Sequence, residues 1–447
     1  MNFSQVALVF VVLAPGVVFA VLALLWLLGW VPSERVPCRI TGLTFSTCVL
    51  ALAVILWKLA STGAPGVVAT FGNWFAVDDY HFPLILMADR ISLPFLGMTV
   101  LLSGLIGQFS ATYLHRERGF LRFFLLLHLF AFGSLLAFAA GSFDLLIAGW
   151  ELVGITSVLL IAFFQQRPAP VENGLRVFAV YRACDIGLLV GVFALYHWAG
   201  TASFAAGLPR LTGTQAAIFC LLLLLAAAGK AAQVPFSGWL PRAMEGPTPS
   251  SAIFYGAISI HAGAYLLLRI QPILNQSRLA SALVIVIGVL TAIHGAIVGR
   301  ASADAKTSLA YASLTQVGVV FVEIGMGWTW IALAHILGHA TVRTLQFLRA
   351  PSMLHDYHQM HSAIGVEQST ANSRLEDLFP RRAQLWLYRW ALDRGHLDTI
   401  LDSWVVHPLM QLSKLFAKLD NIGLSGPVRR KEEAAISMPS HARQGGD

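Results

Sequence analysis

Charge is the scarcest ingredient of this 447-residue chain. Only 12% of its residues are Asp, Glu, Lys or Arg, about half the share of a soluble globular domain. Cysteine is nearly as sparse. Cys38, Cys48, Cys184 and Cys220 are scattered, with no C-x-x-C spacing. That excludes a disulfide framework, an iron–sulfur site and a zinc ribbon. Dinucleotide and flavin fingerprints are missing too, so no cofactor is expected. The net charge of +7 is not a nucleic-acid footprint, because much of the basic excess falls in short loops and in the carboxy-terminal tail.

What fills the chain instead is apolar. Hydrophobic residues make up 57% and mean hydropathy is +0.69, the composition of a polytopic membrane protein in contact with lipid. A span needs about 20 apolar residues. Runs of that kind lie near 6–30, 41–60, 88–112, 121–141, 143–164, 176–198, 214–235, 249–270, 279–299, 306–326 and 328–349. The fold class is therefore all-α, a bundle of about eleven spans. The first run is too long for a signal-peptide core and has no basic residue before it, so it reads as a retained helix.

Loop charges give an orientation. Alternate connections carry Arg35 and Arg39; Arg116, Arg118 and Arg122; Arg167; Arg242; and Arg300, while the long 61–87 loop carries Asp78 and Asp79. The positive-inside rule puts the amino terminus outside and the tail in the cytoplasm. Lys58, Arg90, Arg210, Arg269 and Arg278 lie on the wrong side of that rule.

The seventh run ends in GKAAQVPFSGWLPRAMEGPTPSS, Gly229 to Ser251. Lys230 sits where a charge is expensive. Pro235 and Pro241 follow, each removing a backbone donor, so the seventh helix is expected to break between Lys230 and Pro241. A broken helix beside a lysine leaves carbonyls and room for water, as ion sites in membranes require. A lysine snorkelling from a helix end is the plainer alternative.

Further polar residues interrupt other spans. Glu151 lies about eight residues into the fifth, and a lysine near it would tie the proton affinity of one group to that of the other. Arg182 and Asp185, three apart, share a helix face and can pair. His335, His339 and Arg343 recur every four residues as one stripe; histidine titrates near neutrality, whereas arginine does not deprotonate. An H-x-x-x-H pair can bind zinc, but a zincin needs a glutamate beside the first histidine, and Ile336 stands there. No metal is expected.

The Gly229–Ser251 stretch closely resembles the antiporter-like, proton-conducting membrane subunits of respiratory complex I and of Mrp-type cation/proton antiporters. Gly229-Lys230, Gln233-x-Pro235, Trp239-Leu240, Ala243-Met244 and Gly246-Pro247-Thr248-Pro249-x-Ser251 carry the resemblance. Segments 72–95 and 113–124 share the look of that family. The resemblance implies a proton relay of Glu151, Lys230, His261, Lys306, His335 and His339, with Arg182, Asp185 and Arg343 tuning its charge. Where those subunits have a histidine after the Thr-Pro motif, this chain has Tyr255, with His261 six residues on. The wording SSAIFYGAISIHAGAYLLLR is similar to membrane subunits of DAB inorganic-carbon transporters (DabB type). That likeness implies a carbonic-anhydrase-like, zinc-containing cytoplasmic partner subunit (DabA type). A respiratory subunit on the same pathway is the alternative. Glu323, His128 and His294 have no counterpart in that resemblance and read as packing polars or interface residues.

Residues 1–350 read as the transmembrane domain and 351–447 as a cytoplasmic tail. Within the tail, 383–420 alternates apolar stripes with charge, as amphipathic helices on lipid or a partner do. Its end, from Arg429, is expected to be disordered.

Overall fold

The computed structural model describes residues 1–78, 80–302, 304–364 and 380–424. Asp79, the 365–379 part of the polar stretch and the tail beyond 424 lie outside them. Ten helices are long and apolar enough to cross a membrane among the described residues. They are α1 (Phe3–Leu27), α2 (Arg35–Thr62), α3 (Ser92–Tyr113), α4 (Phe120–Phe138), α5 (Phe143–Ile161), α6 (Pro168–Ala199), α7 (Gly213–Lys230), α8 (Thr248–Arg269), α9 (Arg278–Ala301) and α10 (Ala305–Gly325). The chain is a multi-pass, all-α membrane protein.

The eleventh run is a helix, α11 (Thr329–Ile364), but it is not among the ten. His335, His339 and Arg343 dilute its apolar character. The long loop before α3 is in fact an antiparallel hairpin, β1 (Gly66–Val77) with β2 (Tyr80–Asp89). Its register slips between Thr70 and Asn73 and again between Asn73 and Ala76, so strict alternation never shows in the sequence. The strand ends dock on the α4–α5 turn, where Met87 N donates to Ala139 O (2.7 Å) and Gly141 N to Ile85 O (2.8 Å).

Burial sorts the helices into a centre and a rim. Every residue of the α8 window is enclosed, whereas α6 turns Phe193, 75% exposed, with Ile186, Leu189 and Val190 outward. Such a surface would be an aggregation hazard in water and is the required one in lipid. Helices pack through small residues, as they must where lipid removes the hydrophobic drive. A Cβ on Gly318 of α10 would stand 2.7 Å from Gly288 O of α9, so neither position accepts a side chain.

Two basic residues on the wrong side of the orientation rule are satisfied internally. Arg269 donates to both Asp89 carboxylate oxygens (2.6 and 3.2 Å) and to the Tyr265 hydroxyl (2.8 Å). Arg210 donates to Ala199 O. Arg269 is therefore not a free surface charge of the kind that the rule counts, whereas Arg210 stays exposed.

One compact unit runs from Met1 to Asp398 and a second takes up the rest of the chain. The first therefore includes α12 (Arg381–Leu392). Trp390 sets its ring edge-on to His294 of α9, centroids 5.7 Å apart. Leu385, Trp386, Tyr388 and Leu392 of α12 stay exposed. The second unit contains α13 (His407–Leu424) and presents Trp404, 80% exposed.

Candidate functional site

The seventh helix stops where the sequence places the break. Lys230 is the last residue of α7. Residues 231–247 then run as turns and single helical turns, with Pro235 before a 3-10 turn and Pro241 inside Trp239–Arg242, until α8 starts at Thr248. Backbone groups left by the break find partners: the Trp239 indole donates to Gly229 O (3.0 Å) and Gln233 N to Ala228 O (2.8 Å).

Lys230 is 1% exposed. Its ammonium donates to Trp150 O (3.2 Å) and lies over the Tyr181 and Trp150 rings, 4.4 and 4.9 Å from their centroids. No carboxylate comes within 4 Å of it among the described residues. This enclosure removes the snorkelling alternative, because the ammonium is walled in by side chains of α5 and α6.

The expected Glu151–Lys230 contact has an intermediary. Arg182 pairs with Glu151 and, through Nη2, with Asp185 (2.7 Å). The predicted i, i+3 pair of α6 is thus present and reaches across to α5. Asp185, 2% exposed, also accepts from the Trp150 indole (2.6 Å). Two carboxylates and one guanidinium carry a net charge of −1, which the ammonium offsets without touching either carboxylate. Gly154 makes room between the cations. A Cβ there would stand 3.1 Å from Lys230 Nζ and 3.6 Å from Arg182 Nη2, so the two groups are no more than about 7 Å apart.

Beside Lys230, towards α8, is an enclosed cavity of ≈ 10 Å³, room for about one water. Ser134, Trp150, Ile258 and Tyr265 help to line it. A π turn in α8, Ala252–Ala257, precedes His261. Such turns gather at functional sites.

His261 Nδ1 donates to Ala257 O, which leaves Nε2 as an acceptor. His339 Nδ1 lies 3.0 Å from that Nε2 and so donates to it. His335 follows, its ring centroid 6.5 Å from that of His339, too far for a direct bond. The structure brings these three relay residues together. Lys306 is not among them: it is half-buried in the first turn of α10, about 15 Å along the helix from Gln316.

Sequence reasoning missed three members. Glu323 accepts from His335 Nδ1 (2.9 Å), while Gln316 lies 3.0 Å from its Nε2. Glu323 and His335 face each other across the α10–α11 turn, a pairing that no helical period announces. Trp150, adjacent to Glu151 and marked by no charge, supplies both the Lys230 acceptor and an Asp185 donor.

Arg343 is buried, donates to Gln346 (2.8 Å) and leaves Nε without a partner. At the end of the bundle that holds the break, Asp398 accepts from Arg242 (2.7 and 3.2 Å) and from Arg394 (3.1 Å). No group of three or more potential metal ligands occurs among the described residues.

Residues 140–383 match the family described as NADH:quinone oxidoreductase/Mrp antiporter, TM. Residues 74–124 match the complex I chain 5 N-terminus. NADH-ubiquinone oxidoreductase chain 5 of Cryptococcus neoformans is 32% identical over 321 residues, which are 70% of this chain and 48% of that protein. NADH-quinone oxidoreductase subunit L of Mycobacterium tuberculosis is 35% identical over 292 residues, 64% of this chain and 46% of that protein. The chain thus spans about half the length of the curated relatives it matches. Among solved structures, the Mrp complex from Dietzia sp. has a TM-score of 0.67 at 26% identity, covering 75% of this chain and 37% of that one. The archaeal membrane-bound sulfane sulfur reductase has a TM-score of 0.68 at 20% identity, covering 77% and 70%, a likeness of fold alone.

Proposed function

This chain belongs to the NADH:quinone oxidoreductase/Mrp antiporter family, and we propose that it is a proton-translocating, antiporter-like subunit in which Lys230 carries the proton. One observation supports this most: a fully enclosed ammonium, unpaired, beside a carboxylate–guanidinium cluster of opposite net charge. A proton arriving at Glu151 makes that cluster neutral and removes the counter-charge of Lys230. Glu151 lies beyond Arg182, and with an effective dielectric of about 20 one unit charge at about 10 Å is felt as roughly 1.5 kcal/mol, enough to shift proton affinity by about tenfold. The ammonium then releases its proton through the single-water cavity towards α8, and His261, His339 and His335 continue the line. No catalytic residue is assigned; the subunit moves ions and leaves other chemistry to partners.

As to the machine, the relatives support a multi-subunit complex of the complex I or Mrp kind. The inorganic-carbon reading, with a carbonic-anhydrase-like partner of the DabA type, rests on Tyr255 and His261 in α8. Bacterial relatives support an inner-membrane location, and the loop charges support an amino terminus outside. Lys230→Met in proteoliposomes tests the site: proton uptake should be abolished with the fold intact. Lys230→Arg should fail too, because arginine keeps its proton. Full uptake by Lys230→Met would end the proposal. Copurification separates the machines: redox or antiporter subunits support the first reading, a zinc-containing carbonic-anhydrase-like chain the second.

A further inference from the structure

Residues of α9, α10 and α11 line an open groove of ≈ 440 Å³. Its polar lining is Arg300, Ser302, Ser308, Thr315, Gln316 and Arg343, with no carboxylate. Arg300, Ser302 and Ser308 stand by the α9–α10 turn. Thr315 and Gln316 are roughly 10–15 Å further along α10. Asp304, the nearest acid in sequence, is engaged as the N-cap of α10, accepting from Thr307 N (2.8 Å).

We propose that this groove binds a small oxyanion, a free ion such as phosphate or bicarbonate or the phosphate of a lipid headgroup. Arg343 is the reason. It is 9% exposed, permanently charged, and has no carboxylate within 4 Å among the described residues. Its one recorded bond goes to the neutral Gln346, and its Nε is buried without a partner. A buried guanidinium without a counter-ion is costly, and a planar fork of donors suits oxyanions bidentately. Arg300 at the mouth adds a second permanent charge, while the hydroxyls of Ser302, Ser308 and Thr315 donate to Val298 O, Gly299 O and Tyr311 O (3.1, 3.4 and 3.0 Å) and leave the two guanidiniums as the anion's donors. A cation or a hydrated proton finds no acid there and two repelling charges. Occupancy would neutralise Arg343, one turn from His339 on the same helix face, and thereby reach the histidine line from a second direction.

The test uses the full chain in nanodiscs of zwitterionic phosphatidylcholine. Thermal unfolding is followed against sodium phosphate or bicarbonate, with sodium chloride of equal ionic strength as reference. The midpoint should rise saturably with the oxyanion, and Arg343→Gln should raise the half-saturating concentration at least tenfold. A parallel series in discs containing phosphatidylglycerol separates the sources: a response to that lipid alone, lost in Arg343→Gln, makes the headgroup the ligand. The proposal is overturned if phosphate, bicarbonate and phosphatidylglycerol move the wild-type midpoint no further than that of Arg343→Gln. Should Arg343→Gln not fold, Arg300→Gln, at the exposed mouth, decides: a two- to fivefold weaker response supports the site, an unchanged one removes it. Binding is read without proton transport, so this result and that of Lys230→Met fail or stand independently.

Discussion

A methyl group at position 154 should separate transport from stability. Gly154 of α5 faces Lys230 Nζ and Arg182 Nη2, and a Cβ there would lie 3.1 and 3.6 Å from them. The first contact is too tight, so the ammonium must give by a few tenths of an ångström, which its flexible stem allows. Its bond to Trp150 O, already 3.2 Å, is then stretched or lost. A hydrogen bond from a charged donor contributes about 1.5–3 kcal/mol, so proton uptake by Gly154→Ala should fall roughly ten- to a hundredfold. Stability should fall by no more than about 2 kcal/mol, because the lost bond is partly offset. Alanine is about 1 kcal/mol better than glycine inside a helix, and the only crowded neighbour is the far end of a side chain. The assay is proton uptake by proteoliposomes under an imposed potential, with the unfolding midpoint measured on the same preparation. Wild-type uptake by Gly154→Ala, alongside an inactive Lys230→Met, would refute the view that the spacing of the two cations sets the rate.

Two further outcomes follow. Glu323→Gln removes the charge on His335 Nδ1 while keeping an acceptor, and proton uptake should drop several-fold with an unchanged unfolding midpoint; equal uptake would make Glu323 a packing residue. Asp89 is half-buried, which alone would raise its carboxyl, but hydrogen bonds and charge from Arg269, with help from Ser92, hold it below the ordinary value. Its contribution to stability is thus complete above the unfolded pKa of about 3.9 and is lost as pH falls through the folded one. Asp89→Asn, which leaves Arg269 buried and unpaired, should cost about 3 kcal/mol at pH 7, and the gap in midpoint should narrow in acid; a gap independent of pH would contradict the pairing.

The spans were legible because lipid imposes length and composition on each one independently. The break was legible because lysine and proline are both expensive inside a helix. The hairpin was not, since its slipped register blurs the alternation and Asp78 invites reading a loop. The site was legible as residues and not as connections. Glu151, Lys230, Arg182 and Asp185 all stand out as charges in apolar runs, but which guanidinium comes between them depends on side-chain reach across three helices. Arg343 is visible as a charge, and its lack of a partner appears only in three dimensions. Glu323 is visible too, yet nothing in its neighbours points at a histidine twelve residues on.

The clasp of Arg242 and Arg394 on Asp398 ties α12 to the very loop that ends the lysine's helix. In mechanical terms α12 is a short rod joined to the clasp through the 393–396 turn, its outer handle formed by the exposed side chains of Trp386 and Tyr388. Torque applied to that handle is delivered at Arg242, twelve residues beyond Lys230. Reciprocity makes the same rod a gauge: whatever grips α12 more firmly in one setting of the loop also reads, from outside the lipid, which setting the loop has taken.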